Sequence, residues 1–155
     1  MKILMVCLGN ICRSPLAEGI LKAKAAAYGL DWQVDSAGTS SWHVGELPDK
    51  RSIATARQHG IDITDQRARQ LRPADLDTYD LILAMDRNNL RDILRLAQNE
   101  RQRQKVRLVM EFVDPNQPSD VPDPYWDDDG FEQVYQMLEQ AAEGIIAAYG
   151  AVPKT

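Results

Sequence analysis

The sequence predicts an α/β fold: a single three-layer domain over residues 1–155, with a four-stranded parallel sheet covered by helices on both faces. Three observations predict it. Short apolar runs at Lys2–Val6, Leu81–Met85 and Val106–Met110 read as strands buried on both sides. They alternate with longer segments of helical periodicity, the pattern of right-handed βαβ units. A length of 155 residues, with no repeat, linker or low-complexity tract, suits one hydrophobic core.

Taken in order, Lys2–Val6 is the first strand. Ser14 and Pro15 read as the cap and first residue of a helix through LAEGILKAKAAAY, with Leu16, Ile20, Ala23 and Ala27 on one face and Gly29 at its end. Trp32–Ser36 is the second strand. A loop containing Gly38, Gly45 and Pro48 leads to a helix from Asp49 to His59, stopped by Gly60. Pro73 opens a short helical turn. Leu81–Met85 is the third strand, and Asp86 caps a helix from Arg87 to Gln98. Val106–Met110 is the fourth strand. The proline-rich stretch DPNQPSDVPDPYW precedes an amphipathic helix from Asp127 to Tyr149, its core side carrying Val134, Leu138, Ala142, Ile145 and Ile146.

Composition excludes several functions. The net charge is −5, from 23 Asp and Glu against 18 Lys and Arg, and the basic residues are scattered. Neither a basic stripe nor aromatic–basic interleaving argues for nucleic acid. No apolar run reaches the length of a membrane span, so no membrane insertion is expected. The run after Lys2 is too short for a secretory signal and meets Arg13 too soon, and Val6 is not the small residue a lipoprotein cleavage site needs before Cys7. With two cysteines in the chain, a reducing cytoplasm is the expected location. Zinc is disfavoured by the cysteine spacing, and His43 and His59 read as surface residues. Neither GxxxxGK[ST] nor GxGxxG occurs.

The chemistry concentrates in CLGNICRSP, Cys7–Pro15, where a strand runs through a bend into a helix start. Amides at a helix N-terminus converge on an anion and the helix dipole adds to the attraction, so the backbone resembles an anion nest and is expected to act as a phosphate-binding loop after strand 1. Gly9 lets the backbone approach closely and Asn10 tolerates a left-handed conformation. The same dipoles favour the thiolate of Cys7, Ser14 can donate to that sulfur, and Arg13 offers a fork that matches two phosphate oxygens. Together these residues suit nucleophilic attack on phosphorus. The leaving oxygen then needs a proton. Asp123 stands out among the acids, fixed between Pro122 and Pro124 and followed by Tyr125 and Trp126. Ligands of open parallel sheets bind beyond the carboxyl ends of the strands, and both segments follow such ends.

These residues carry a resemblance. CLGNICRSP resembles the phosphate-binding loop of the low-molecular-weight protein tyrosine phosphatases, and VPDPYW resembles their general-acid loop. DSAGTSSWHVGELPDKR, Asp35–Arg51, is similar to their second-strand and specificity-loop segment, and LILAMDRNN, Leu81–Asn89, to their third-strand segment, so the likeness spans nearly the whole chain. It implies that Cys7 is the nucleophile and forms a phosphocysteine, that Arg13 holds the equatorial oxygens, and that Asp123 is the general acid and then the general base. The residues Leu8, Gly9, Asn10, Ile11, Cys12 and Ser14 would line the cradle. Trp42, Tyr125 and Trp126 would form the cleft walls, while Ser36 and Gln66 would support the loop, Gln66 standing near the place of a histidine that steadies Asn10 in many members. The implied substrate is a phosphotyrosine-containing protein, with phosphate or another oxyanion as inhibitor and no metal or cofactor.

Within that resemblance Ile11 favours phosphotyrosine, since some bacterial relatives acting on phosphoarginine carry threonine at this position and tyrosine-directed members usually carry isoleucine. A reversible disulfide between Cys7 and Cys12 is implied, against a reading of Cys12 as a small core residue. A phosphoarginine phosphatase of the same fold and a phosphate-binding or redox-sensing module without turnover are the alternatives. A thioredoxin-coupled arsenate reductase would need further cysteines, and none follows Cys12.

Overall fold

A computed structural model of the chain describes residues 1–150, so the expected domain limit at residue 155 lies outside the described residues. Strand β1 (Lys2–Cys7) sits inside the sheet because every residue after Lys2 is apolar and buried. It pairs in parallel with β2 (Gln33–Gly38) on one side and β3 (Leu81–Ala84) on the other, and β3 pairs with β4 (Val106–Leu108). The strand order is β2-β1-β3-β4. The chain therefore reverses its direction of travel between β1 and β3, the place where open parallel sheets form a crevice.

Side-chain alternation along β1 divides the core into two. Ile3, Met5 and Cys7 face a layer containing α1 (Arg13–Ala27), Ala56 of α2 (Lys50–Gln58) and α6 (Phe131–Tyr149). Leu4 and Val6 face the opposite layer, with Leu76 of α3 (Asp75–Thr78) and Ile93 of α4 (Arg87–Leu96). This is the three-layer α/β domain expected. Asp49 caps α2 through the amide of Arg51, and Asp86 caps α4 through the amide of Asn89.

Several elements differ from the expectations, each for a local reason. Helix α1 begins at Arg13, and Ser14 does not cap it: its hydroxyl turns toward Cys7 instead. The buried stripe of α1 runs through Ala17, Leu21 and Ala25, whereas Ala23 and Ala27 are exposed, because the first two turns are enclosed all round and only the last turns choose a face. A further helix, α5 (Glu100–Gln104), follows α4. Its sequence, ERQRQ, has no apolar stripe, and it forms with Asn99 accepting from the amide of Gln102. Strand β4 gives way to a 3-10 turn at Val109–Phe112. Helix α6 starts at Phe131, not Asp127, because Asp127 accepts from the amide of Asp129 and holds a separate turn.

Helix α6 packs against that 3-10 turn through Gly144. A Cβ there would lie 2.0 Å from the carbonyl oxygen of Phe112, which is backbone and cannot swing away. Gly144→Ala is expected to cost about 1–3 kcal/mol by overpacking. A urea midpoint unchanged from wild type would show that the helix can lift off the turn without cost.

Candidate active site

The phosphate-binding loop is shaped by contacts that draw its carbonyls outward. The carbonyls of Cys7 and Leu8 accept from the amides of Thr39 and Ser40, each at 2.9 Å, and that of Ile11 accepts from Asp49 at 2.8 Å. The carbonyl of Cys12 accepts from the Ser52 hydroxyl at 3.2 Å. Among the described residues, the amides of Leu8, Gly9, Ile11 and Cys12 donate to no protein group, which leaves them for an anion. The turn closes because Asn10 adopts φ 57°, a conformation asparagine tolerates. Gly38, beside Cys7 in the sheet register, completes the fit. A Cβ at Gly38 would meet the carbonyl oxygen of Leu8 at 2.9 Å and the amide nitrogen of Asn10 at 3.1 Å, so a side chain here would displace the loop.

Cys7 ends β1 with 2% of its surface exposed. The amide of Asn10 donates to its Sγ at 3.3 Å, and the Ser14 hydroxyl lies 3.0 Å away. Because Asn10 Nδ2 donates to Ser14 Oγ at 2.8 Å, the Ser14 proton is free to point at the sulfur. Asn10 also donates to Ser36 Oγ at 2.9 Å and accepts from the amide of Arg69 at 3.0 Å. Ser36 in turn donates to buried Glu18 at 2.7 Å. Burial raises the pKa of the Glu18 carboxyl, against the opposing pull of Lys22 and Ser36. Thus a chain of hydrogen bonds runs from the far side of α1 to the sulfur.

Gln66 departs from expectation. It does not touch Asn10 but donates through Nε2 to the carbonyl of Pro15 at 3.0 Å, so it steadies the first turn of α1. The support expected of Gln66 comes instead from Arg69, whose side chain is fixed by Asp75. Cys12 is buried among Ile11, Ala68 and Phe131, and both cysteines are free thiols. Burial first, and then the charge of Asp49, push the Cys12 thiol pKa up.

Arg13 is buried, and its Nη1 donates to Asp86 at 2.6 Å and to the carbonyl of Val121 at 3.0 Å. Its Nη2 lies 3.7 Å from Asp123. Burial by itself would lower the arginine pKa, but Cys7, Asp86 and Asp123 outweigh it and raise the value, so the guanidinium stays charged. Asp86 follows β3 across the crevice from Arg13, and the amide of Val121 donates to the carbonyl of Met85 at 2.8 Å, tying the Asp123 loop to the same strand end. Asp123 accepts from the amide of Tyr125 at 3.1 Å and starts a 3-10 turn at Pro124–Trp126.

These groups open on one cavity of about 300 Å³. Cys7, Arg13 and Asp123 all line it, the first two buried and Asp123 exposed. Ile11, Tyr125 and Trp126 form the walls with Trp42 and His43. Trp42 and Trp126 stand at the mouth, 73% and 88% exposed, and Tyr125 meets Trp126 edge to face at 4.8 Å. The fold brings every expected site residue to this cavity or to the network behind it, Gln66 at one remove. Sequence reasoning missed Asp86, Glu18, Arg69, His43 and Gly38. Only Gly38 had a usable signal: placing it level with Cys7 in adjacent parallel strands would have shown the crowding.

Fold and cavity together define a class, the small single-domain α/β phosphatases. Residues 2–152 match the family model for the low molecular weight phosphotyrosine protein phosphatases. A low molecular weight protein-tyrosine-phosphatase of Streptomyces coelicolor is 43% identical over 95% of this chain and 92% of its own. Among solved structures, a protein tyrosine phosphatase from Entamoeba histolytica with Hepes in the active site aligns at 35% identity and a TM-score of 0.90, over 97% of each chain. A drosophila arginine phosphatase aligns at 34% identity and a TM-score of 0.90, over 99% of this chain and 100% of its own. The chain belongs to the low molecular weight phosphotyrosine protein phosphatase family.

Proposed function

We propose that the protein hydrolyses phosphotyrosine in proteins, and small aryl phosphates, through a phosphocysteine intermediate. The observation that carries this reading is the convergence of Cys7, Arg13 and Asp123 on one aromatic-walled cavity, with unpartnered loop amides around the sulfur.

The Cys7 thiolate, held by the Asn10 amide and Ser14, attacks phosphorus. Arg13 and the amides from Leu8 to Ser14 hold the three non-bridging oxygens and stabilise the charge that spreads over them in the transition state. Asp123 gives its proton to the departing phenolate. The resulting carboxylate then takes a proton from water, which attacks the phosphocysteine and releases inorganic phosphate. Phosphate and similar oxyanions fill the same cradle and inhibit. Positive potential comes from Arg13 and the amides, so no metal is assigned to the reaction. A reducing compartment such as the cytoplasm suits two free thiols. Under oxidation, Cys7 sulfenic acid would condense with the Cys12 thiol, losing water and forming a disulfide that shields the nucleophile.

Ile11, which lines the cavity with an apolar side chain, favours an aromatic phosphate ester over phosphoarginine. The decisive assay compares a phosphotyrosine peptide with a phosphoarginine peptide in excess chelator, with mass spectrometry of acid-quenched enzyme. Faster release from phosphotyrosine and 80 Da added to Cys7, the mass of a phosphoryl group (about 80 Da), are expected. Preference for phosphoarginine would transfer the assignment to that substrate. Phosphate binding without turnover would identify a sensing module.

A further inference from the structure

A second guanidinium, outside the cavity lining, also joins the phosphate loop to the acid loop. Arg51, on the first turn of α2, makes a fork with Asp49: its Nε and Nη2 donate to the two carboxylate oxygens, each at 2.9 Å. Asp49 is anchored to the phosphate loop by its amide, which donates to the carbonyl of Ile11 at 2.8 Å. From this base Arg51 reaches the acid loop. Its Nη2 also donates to the carbonyl of Tyr125 at 3.0 Å, and its Nη1 donates to Asp128. The guanidinium carbon lies 4.6 Å from the centre of the Phe131 ring and 5.6 Å from that of Tyr125.

Tyr125 is thus gripped at both ends of its backbone. Its amide donates to Asp123, and its carbonyl accepts from Arg51. We propose that Arg51 is a positioning residue for proton transfer: it sets the height of the Asp123 loop over the phosphate loop. This rests on the roles proposed above for Cys7 and Asp123. Arg51 touches none of the reacting atoms, and its side chain is 32% exposed, so it is no core residue whose loss would unfold the domain. A lysine cannot replace it, because one ammonium cannot hold a carboxylate in a fork and a carbonyl at once.

A displaced acid harms the reaction only where the leaving group needs its proton. The test therefore measures kcat/KM of wild type, Arg51→Met and Arg51→Lys on p-nitrophenyl phosphate, phenyl phosphate and a phosphotyrosine peptide, with the inhibition constant of inorganic phosphate. Both variants are expected to lose on the order of 10-fold or more on the two poor leaving groups, part of what a general acid supplies. Loss on p-nitrophenyl phosphate should be several-fold smaller, and phosphate inhibition should be unchanged. An equal loss on all three substrates, a weakened phosphate inhibition, or no loss at all would overturn the proposal. Full recovery in Arg51→Lys would overturn it too. Failure of the underlying function looks different: wild type itself would not turn over, or Asp123 substitution would have no effect.

Discussion

Cys7→Ser is expected to abolish turnover while the cradle still binds phosphate. The sulfur sits 3.3 Å from the Asn10 amide and 3.0 Å from the Ser14 hydroxyl. Sulfur attacks phosphorus as a thiolate, and both donors stand where they would meet its charge. A serine hydroxyl is far less acidic, and the same two donors cannot make it an alkoxide. The loss should be on the order of 10⁴–10⁶-fold, as for removal of other enzymic nucleophiles. Oxygen is smaller than sulfur and fits without pushing the loop aside, so isothermal titration with phosphate should still show one site. Activity near that of wild type would remove Cys7 from the chemistry and with it the phosphocysteine.

The second large effect belongs to Asp123→Asn. Asparagine keeps an oxygen to accept from the Tyr125 amide, so the turn at Pro124–Trp126 is retained. It lacks the transferable proton. Turnover of phenyl phosphate and phosphotyrosine is expected to fall about 10²–10⁴-fold. With p-nitrophenyl phosphate the first step survives, but the water that clears Cys7 has lost its base. A burst of nitrophenol matching the enzyme concentration should precede a slow steady rate. A uniform loss across leaving groups, without a burst, would mean that Asp123 serves the cradle through Arg13, 3.7 Å away, and not the proton.

What the sequence disclosed follows from how local each signal is. The buried strand Lys2–Cys7 and the phosphate-binding loop lie within a few residues of each other, and backbone geometry alone relates them. The core side of α6 was equally legible, since Val134, Leu138, Ala142, Ile145 and Ile146 repeat with the helical period. Asp86 was read as a helix cap, and it is one, but its second oxygen also holds Arg13 across 73 residues of sequence. Nothing about an aspartate at a cap announces that second partner. Glu18 and Arg51 were hidden for the same reason: each is an ordinary charged residue on a helix until folding supplies its distant partners. Ser14 shows the reverse error. Its position before Pro15 matched a cap, but the sulfur competes for its hydroxyl, and the chemistry of the site overrides the local preference.

The order β2-β1-β3-β4 puts Cys7 and Asp123 on parts of the molecule with unlike resilience. Cys7 closes an interior strand flanked by neighbours on both edges, and freeing it means dismantling the sheet. Asp123 rides on a surface segment fastened by a handful of bonds to Arg13, Met85 and Arg51. As heat or denaturant loosens the domain, the Asp123 segment is therefore expected to give way before Cys7 does, leaving a form that takes a phosphoryl group from activated esters alone and releases it slowly.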